Sequence, residues 1–337
     1  INNIYLFLIP VGILIGKATS DYNDFLLNFI FYLILAPAIA SVLHKFLYVS
    51  SSSMRVSGGV ESFDEMMALP ELAEIRRGKE PSDGTVSFQD VSFSYSGDDT
   101  LALSEVSFTA REGEVTAIVG TSGGGKSTIA HLIPRFWDVS KGRICIGDVD
   151  IREMTERDLM RQVSLVFQDV YLFNQSIRDN IKIGIHEASD EEVVRAAKAA
   201  CCNEFIESLP NGYDTVLGEG GVHLSGGEAQ RISIARAIIR NTPILVLDEA
   251  TAFADPENEK LIQTALRKLM KGRTVIIIAH RLGTIKDADN ILVMDKGKLV
   301  ESGTHSDLLQ AKGVYSDMWV RYTQSLEWGI GKEEVAL

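Results

Sequence analysis

"GTSGGGKST", residues 120–128, directly follows "EVTAIV", 114–119, a short apolar run of the kind that makes a buried strand. The stretch fits G-x-x-x-x-G-K-[ST] through Gly120, Gly125, Lys126 and Ser127. Glycines are required because backbone N–H groups must approach a phosphate closely and adopt positive φ. Lys126 supplies charge for the β/γ-phosphates, and the Ser127 hydroxyl suits Mg²⁺. Thr121, Ser122, Gly123 and Gly124 complete the loop, and Thr128 lies in the helix that it opens. That helix adds the positive end of its dipole. Strand, phosphate loop and helix in this order predict an α/β P-loop NTPase fold.

The flanking chain agrees. "PILVLDEA", 243–250, and "TVIIIAH", 274–280, read as buried parallel strands. Between them a helix is expected, with Asp255 as N-cap and Pro256 in the first turn. "VSFQDVSFSY", 86–95, alternates like a half-buried strand, and 189–209 reads as one helix opened by a Ser189/Glu192 capping box. Strands alternating with helices imply a mostly parallel sheet. An acid emerging at a strand end beside a phosphate loop can hold Mg²⁺, which suits Asp248. Glu249 is placed to polarise a water for attack on the γ-phosphate. His280 closes the third apolar strand, and Gln168 follows "VSLVF" in the same way. Spacing alone leaves both open between a phosphate, metal or water contact and a structural role.

A second glycine-rich turn, "HLSGGEAQR" at 223–231, also opens a helix, about 100 residues beyond the first. One nucleotide does not need two cradles from one domain.

The N-terminal end differs in kind. Residues 1–50 carry four charged side chains, Lys17, Asp21, Asp24 and Lys45. "FLLNFIFYLILAPAIASVL", 25–43, has none. A helix over 25–47 would be ~35 Å long, enough for a ~30 Å bilayer core. Pro37 is tolerated in such a span when neighbours satisfy the freed carbonyl. Residues 1–16 read as the end of another span and 17–24 as a short loop, so the chain is expected to lack upstream spans. Asn28 and Tyr32 either face a substrate path or bond to a neighbouring helix. Residues 50–84 turn polar, with a helix expected over 61–78 and a linker at "KEPSDG", 79–84. A net charge of −13 argues against a nucleic-acid partner. Cys145, Cys201 and Cys202 fit neither a disulfide framework nor a paired metal site.

Tyr95, "GTSGGGKST", "FQD" (167–169), "LSGGE" (224–228), "ILVLDEAT" and "AHR" (279–281) occur in one order. Over about 84–325 the chain resembles the ATP-binding cassette of ABC transporters. The uncharged N-terminal runs and "QDVYLFNQSIRDNI", 168–181, look like the exporter-type half-transporter. The resemblance implies a cassette with a mostly parallel sheet and antiparallel β and helical subdomains, preceded by transmembrane α-helices. Its boundaries are a partial transmembrane domain at 1–50, a connecting helix and linker at 51–83, the cassette at 84–325 and a C-terminal tail at 326–337.

The resemblance also implies that two cassettes pack head to tail, each ATP lying between the P-loop of one and the signature loop of the other. Ser225, Gly226, Gly227 and Glu228 would then serve the partner's nucleotide, which accounts for the second cradle. Tyr95 would stack on adenine. Lys126 and Ser127 would hold phosphate and Mg²⁺, Asp248 would support the metal, and Gln168 would sense it. Glu249 would be the general base, His280 would contact the γ-phosphate, and Asp255 would communicate across the dimer. The cofactors are ATP and Mg²⁺. The partners are a second cassette-bearing subunit, identical or not, membrane lipid, and a small-molecule, lipid or peptide substrate.

The expected place is the plasma membrane, multi-pass, with the ATPase domain in the cytoplasm. Export is the expected direction. An exporter-shaped importer of iron–siderophore complexes, and a soluble cassette ATPase of nucleic-acid repair or translation, are the alternatives. Two departures stand out: Glu228 where glutamine is more usual, and "ATAFAD" at 250–255. A carboxylate beside phosphate would weaken binding unless it points away.

Overall fold

A computed structural model describes residues 4–18, 21–68, 75, 77–95, 100–167, 169–185, 187–218, 221–248, 256–279 and 282–333. The chain divides into two compact units, Ile1–Glu71 and Leu72–Leu337.

The first unit is two helices, α1 (Ile4–Ala18) and α2 (Tyr22–Met67). They meet where Gly12 and Gly16, one turn apart, face Phe29 and Phe25. A Cβ on Gly12 would overlap the Phe29 ring, and one on Gly16 would stand 2.6 Å from the Phe25 ring. Small residues here let large rings pack against backbone, a common device between apolar helices. Helix α2 is continuous through Pro37 and through the polar residues 50–67, a 46-residue element where sequence suggested a span and a separate connecting helix. Among the described residues, its Asn23–Met67 stretch is the one helix long and apolar enough to cross a membrane. Leu27, Ile34 and Phe46 on it are about 70% exposed. Asn28 donates to the Asp24 carbonyl of its own helix at 2.9 Å. The side chain of Tyr32 lies outside the described residues.

The second unit holds two sheets. Strands β1 (Val86–Phe93), β2 (Leu103–Ala110), β4 (Lys141–Ile146) and β5 (Val149–Asp150) form an antiparallel sheet in the order β2-β1-β4-β5. Strands β3 (Val115–Gly120), β6 (Val163–Val166), β7 (Ile244–Asp248), β8 (Thr274–Ile278), β9 (Asn290–Asp295) and β10 (Lys298–Gly303) form the second, in the order β10-β9-β3-β8-β7-β6. Five of these are parallel, and β10 closes one edge antiparallel.

The helices of this unit are α3 (Lys126–Leu132), α4 (Glu156–Gln162), α5 (Ile177–Ile181), α6 (Asp190–Ala199), α7 (Asn203–Ser208), α8 (Gly226–Arg240), α9 (Pro256–Met270), α10 (His305–Ala311) and α11 (Val314–Glu333). Helix α11 runs across residue 325, where the sequence reading began a tail.

The central strands are rich in β-branched residues because both of their faces are covered. Along β7, Ile244 and Val246 join a core with Phe88, Ile129 and Ile144 from the antiparallel sheet and α3. Leu245 and Leu247 point the other way, onto Ile232 of α8 and Ile262 of α9. Each such side chain, fully buried, stabilises the fold by roughly 1.5–3 kcal/mol. A third cluster packs Val119 and Val293 against the fully buried Tyr315.

Two local expectations change. The helix expected over 189–209 is two helices, α6 and α7, with Cys201 between them at φ 55°. The turn lets Cys202 and Ile206 enter the same core as Val193, which a straight helix would not allow. Burial there pushes the Cys202 thiol up to about 12. The capping box of Ser189 and Glu192 forms as expected. Residues 79–84 are not a loose linker. Lys79 bonds to Glu153 through both its backbone N–H and its ammonium, and the Ser82 N–H donates to Asp148 at 3.1 Å. The segment is tied to the antiparallel sheet.

Candidate nucleotide-binding site

Strand register brings the candidate residues together. Ile118 on β3 and Asp248 on β7 both pair with Ile278 on β8, and Leu247 pairs with Val166 on β6. The carboxyl ends of β3, β6, β7 and β8 therefore share one edge of the sheet. Gly120 and Asp248 end two of these strands. Open α/β sheets bind ligands at this edge, where helix N-termini and loop amides converge. Gln168, Glu249, Asp255 and His280 lie outside the described residues.

The loop after β3 has the backbone that only glycine permits. Gly120, Gly123 and Gly125 have φ of 145°, 74° and 92°. A Cβ on Gly120 would overlap the Met294 carbonyl oxygen of the neighbouring strand and stand 2.9 Å from its carbonyl carbon. On Gly125 it would meet the Leu103 side chain at 2.6 Å and the Ala102 carbonyl at 2.8 Å. The turn is closed by Gly124 N–H donating to Thr121 O at 3.1 Å and is tied to β9 by the Thr121 hydroxyl donating to Asp295 at 3.1 Å.

Lys126 is 6% exposed, and its Nζ donates to Gly120 O at 3.1 Å and Thr121 O at 2.8 Å. Its ammonium thus bridges the loop's own carbonyls. Gly125 is the N-cap of α3 and offers no side-chain cap. The first N–H groups of a helix have no helical acceptor, so an uncapped glycine entry leaves donors for an anion. Ser127 is exposed at the start of this helix, and Asp248 is half-buried at the end of β7. A buried cation, φ-restricted glycines, an exposed hydroxyl and an acid on the same sheet edge suit a nucleotide triphosphate with a divalent metal. The donor set fits that group.

Tyr95 stands beside this loop. Its hydroxyl lies 3.2 Å from Thr128 Oγ1 on α3. Its ring packs edge-on against Phe93 at 4.8 Å and Trp137 at 5.2 Å, leaving the residue 51% exposed. An aromatic surface held this way can receive a planar base. Trp137 was invisible to local motif reading, because it comes 42 residues after Tyr95 and meets it only through the fold.

The second cradle opens α8. Ser225 is its N-cap, and Glu228 closes a capping box with it. The Ser225 N–H and hydroxyl both donate to Glu228 Oε2 at 2.8 Å, and the Glu228 N–H donates back to Ser225 Oγ at 3.3 Å. The carboxylate is thus folded onto its own helix end, where the dipole favours it. The Ser-x-x-Glu spacing could have revealed this from sequence, just as it did for Ser189 and Glu192. Gly226 is exposed with open space around it, the freedom that a ligand approach needs. Gly227 has a packing reason: it is buried, and a Cβ there would stand 2.9 Å from Asn258 of α9.

Comparison with known proteins agrees with this geometry. The family model described as "ABC transporter" matches residues 103–252. The chain is 46% identical over 289 residues to the ATP-dependent lipid A-core flippase of Pseudomonas aeruginosa, covering 85% of this chain and 48% of that protein. It is 51% identical over 236 residues to a putative multidrug export ATP-binding/permease protein of Bacillus subtilis, covering 70% and 41%. The solved structure of a bacterial Atm1-family ABC exporter with ATP bound superposes with a TM-score of 0.71 at 44% identity, covering 78% of this chain and 46% of that one. The chain spans a little under half the length of these relatives. Phosphate loop, carrier strands, capped signature helix and these relatives agree: the second unit of this chain carries an ATP-binding domain of the ABC transporter family.

Proposed function

We propose that this chain is the ATP-hydrolysing part of a membrane exporter. Two cassettes sandwich ATP between the Gly120–Thr128 loop of one and the Ser225–Glu228 loop of the other. The observation that carries this reading is the presence of two glycine-bearing helix entries on one fold, α3 uncapped and α8 closed by Ser225 and Glu228. One entry, α3, follows β3 at the sheet edge. The other, α8, lies in the helical layer on the far face of that sheet.

In this reading Lys126 and Ser127 hold phosphate and Mg²⁺, Asp248 and Gln168 complete the metal's surroundings, Glu249 activates water and His280 contacts the γ-phosphate. Tyr95 receives the base, and Asp255 reports across the pair. ATP closes the pair and hydrolysis opens it, and helices such as α2 convert that cycle into alternating access. The relatives are named for a lipid flippase and a multidrug exporter. We carry over to this chain an amphiphilic substrate, outward transport, and a plasma-membrane setting with the cassette in the cytoplasm. The partner subunit is a second cassette-bearing chain.

The test is Glu249→Gln in the complete protein. Steady-state ATP hydrolysis should fall by at least ~100-fold, the scale of a general base. Native mass with Mg-ATP should show a stable pair retaining two nucleotides. Near-normal hydrolysis would reject the role of Glu249, and a chain that binds ATP but never pairs would reject the sandwich.

A further inference from the structure

Residues 171–176, which begin three positions after Gln168, are held by two side chains, Asn180 just downstream and Arg236 from α8. Asn180 of α5 is fully buried. Its Oδ1 accepts from the Phe173 N–H at 2.9 Å, and its Nδ2 donates to the carbonyls of Phe173, Gln175 and Ser176 at 3.0–3.2 Å. Arg236 of α8 completes the arrangement. It donates from Nε to Asn180 O at 2.7 Å, from Nη1 to Tyr171 O at 2.8 Å and from Nη2 to Asn180 Oδ1 at 2.6 Å. Its guanidinium also lies 5.9 Å from the centre of the Phe173 ring.

No carboxylate pairs with Arg236 among the described residues. Burial pulls its pKa down to about 10. This buried cation is compensated by charge-assisted hydrogen bonds to carbonyl and amide oxygens instead of by an ion pair. What the planar fork supplies is geometry: three donors fixed at once, which lysine cannot reproduce. Arg236 lies eleven residues after Ser225 on the same helix, about 16 Å along its axis. A shift of 171–176 therefore pulls directly on the helix whose other end is the second cradle.

We infer that Arg236, with Asn180, is a positioning residue that ties the segment after Gln168 to α8 and so sets where the Ser225 loop stands. This rests on the ATP-sandwich reading above. The first cradle, on β3 and α3, makes none of these bonds, so its own nucleotide affinity should not depend on Arg236.

The experiment compares Arg236→Lys with Arg236 intact, both in the complete Glu249→Gln protein. Two quantities are measured: binding of a fluorescent ATP analogue, and the Mg-ATP concentration at which native mass shows half the chains paired. Analogue affinity should stay within about 2-fold while the pairing midpoint rises about 10-fold or more. A lowered melting temperature with an unchanged pairing midpoint would mean a merely structural role and would overturn the inference. Failure of the Arg236-intact protein to pair at any ATP concentration would overturn the sandwich itself, and this role with it. If Arg236→Lys does not fold, amide exchange of the Glu249→Gln protein decides. ATP should slow exchange at 171–176 and at 226–236 over the same concentration range, and independent responses of the two segments would overturn the inference.

Discussion

Replacing Gly120 by alanine tests how tightly the first cradle is built into the sheet. Two costs add. At φ 145° the residue occupies backbone space that side chains rarely enter, a strain of about 1–3 kcal/mol. The new Cβ would also overlap the Met294 carbonyl oxygen, because Gly120 and Met294 face each other in the β3–β9 ladder. Restoring ordinary contact requires the strands to part by about 1 Å or more. That would weaken two or three ladder hydrogen bonds, at about 1 kcal/mol each. The total is on the order of 4 kcal/mol, a large share of the roughly 5–15 kcal/mol that holds a domain folded.

Gly123→Ala is the control. Its φ is 74° and nothing lies within 4 Å of the new methyl group, so only the left-handed penalty of about 1–2 kcal/mol remains. In thermal unfolding, at roughly 2–4 °C per kcal/mol, Gly120→Ala should melt about 10 °C below the parent and Gly123→Ala only about 3–6 °C below it. Binding of a fluorescent ATP analogue should fail first in Gly120→Ala. Equal shifts in the two variants would refute the argument that the Met294 carbonyl, beyond local backbone conformation, demands glycine at 120.

The capping box makes a second prediction. Glu228→Ala removes the acceptor of two Ser225 donors and should cost about 1 kcal/mol in a denaturant titration. Glu228→Gln keeps an acceptor and should stay within ~0.5 kcal/mol of the parent, and a Glu228→Ala protein as stable as the parent would show that the box carries nothing. A third concerns alkali. The Cys202 pKa is raised from 9.0 to about 12 by burial, so the folded state holds a proton that the unfolded chain releases. That contribution is complete below about pH 9 and is lost progressively as pH rises toward 12. Denaturant midpoints should fall more steeply over this range in the parent than in Cys202→Ala, and parallel slopes would contradict the assignment.

Much of the site could be read along the chain, because its chemistry is local in sequence. Gly120 to Thr128 must be contiguous to wrap a phosphate, and an acid such as Asp248 must follow its strand directly to stand at the sheet edge. Strand identity was equally legible, since "VTAIV", "ILVL" and "TVIII" are short runs rich in β-branched residues and largely buried on both faces. What tertiary structure alone decided depends on residues far apart in sequence. Met294 explains why Gly120 tolerates no side chain, and Trp137 steadies Tyr95. Ile206 must reach the core of Val193, so Cys201 breaks a helix that local periodicity read as continuous. Arg236 looks like any polar residue on an amphipathic helix until the fold sets the carbonyls of Tyr171 and Asn180 beside it. Sequence by itself determined which backbone can cradle phosphate, because that requirement falls on neighbouring residues. Only the folded chain decided what those cradles are fastened to, because strand pairing and core packing join residues that spacing never brings together.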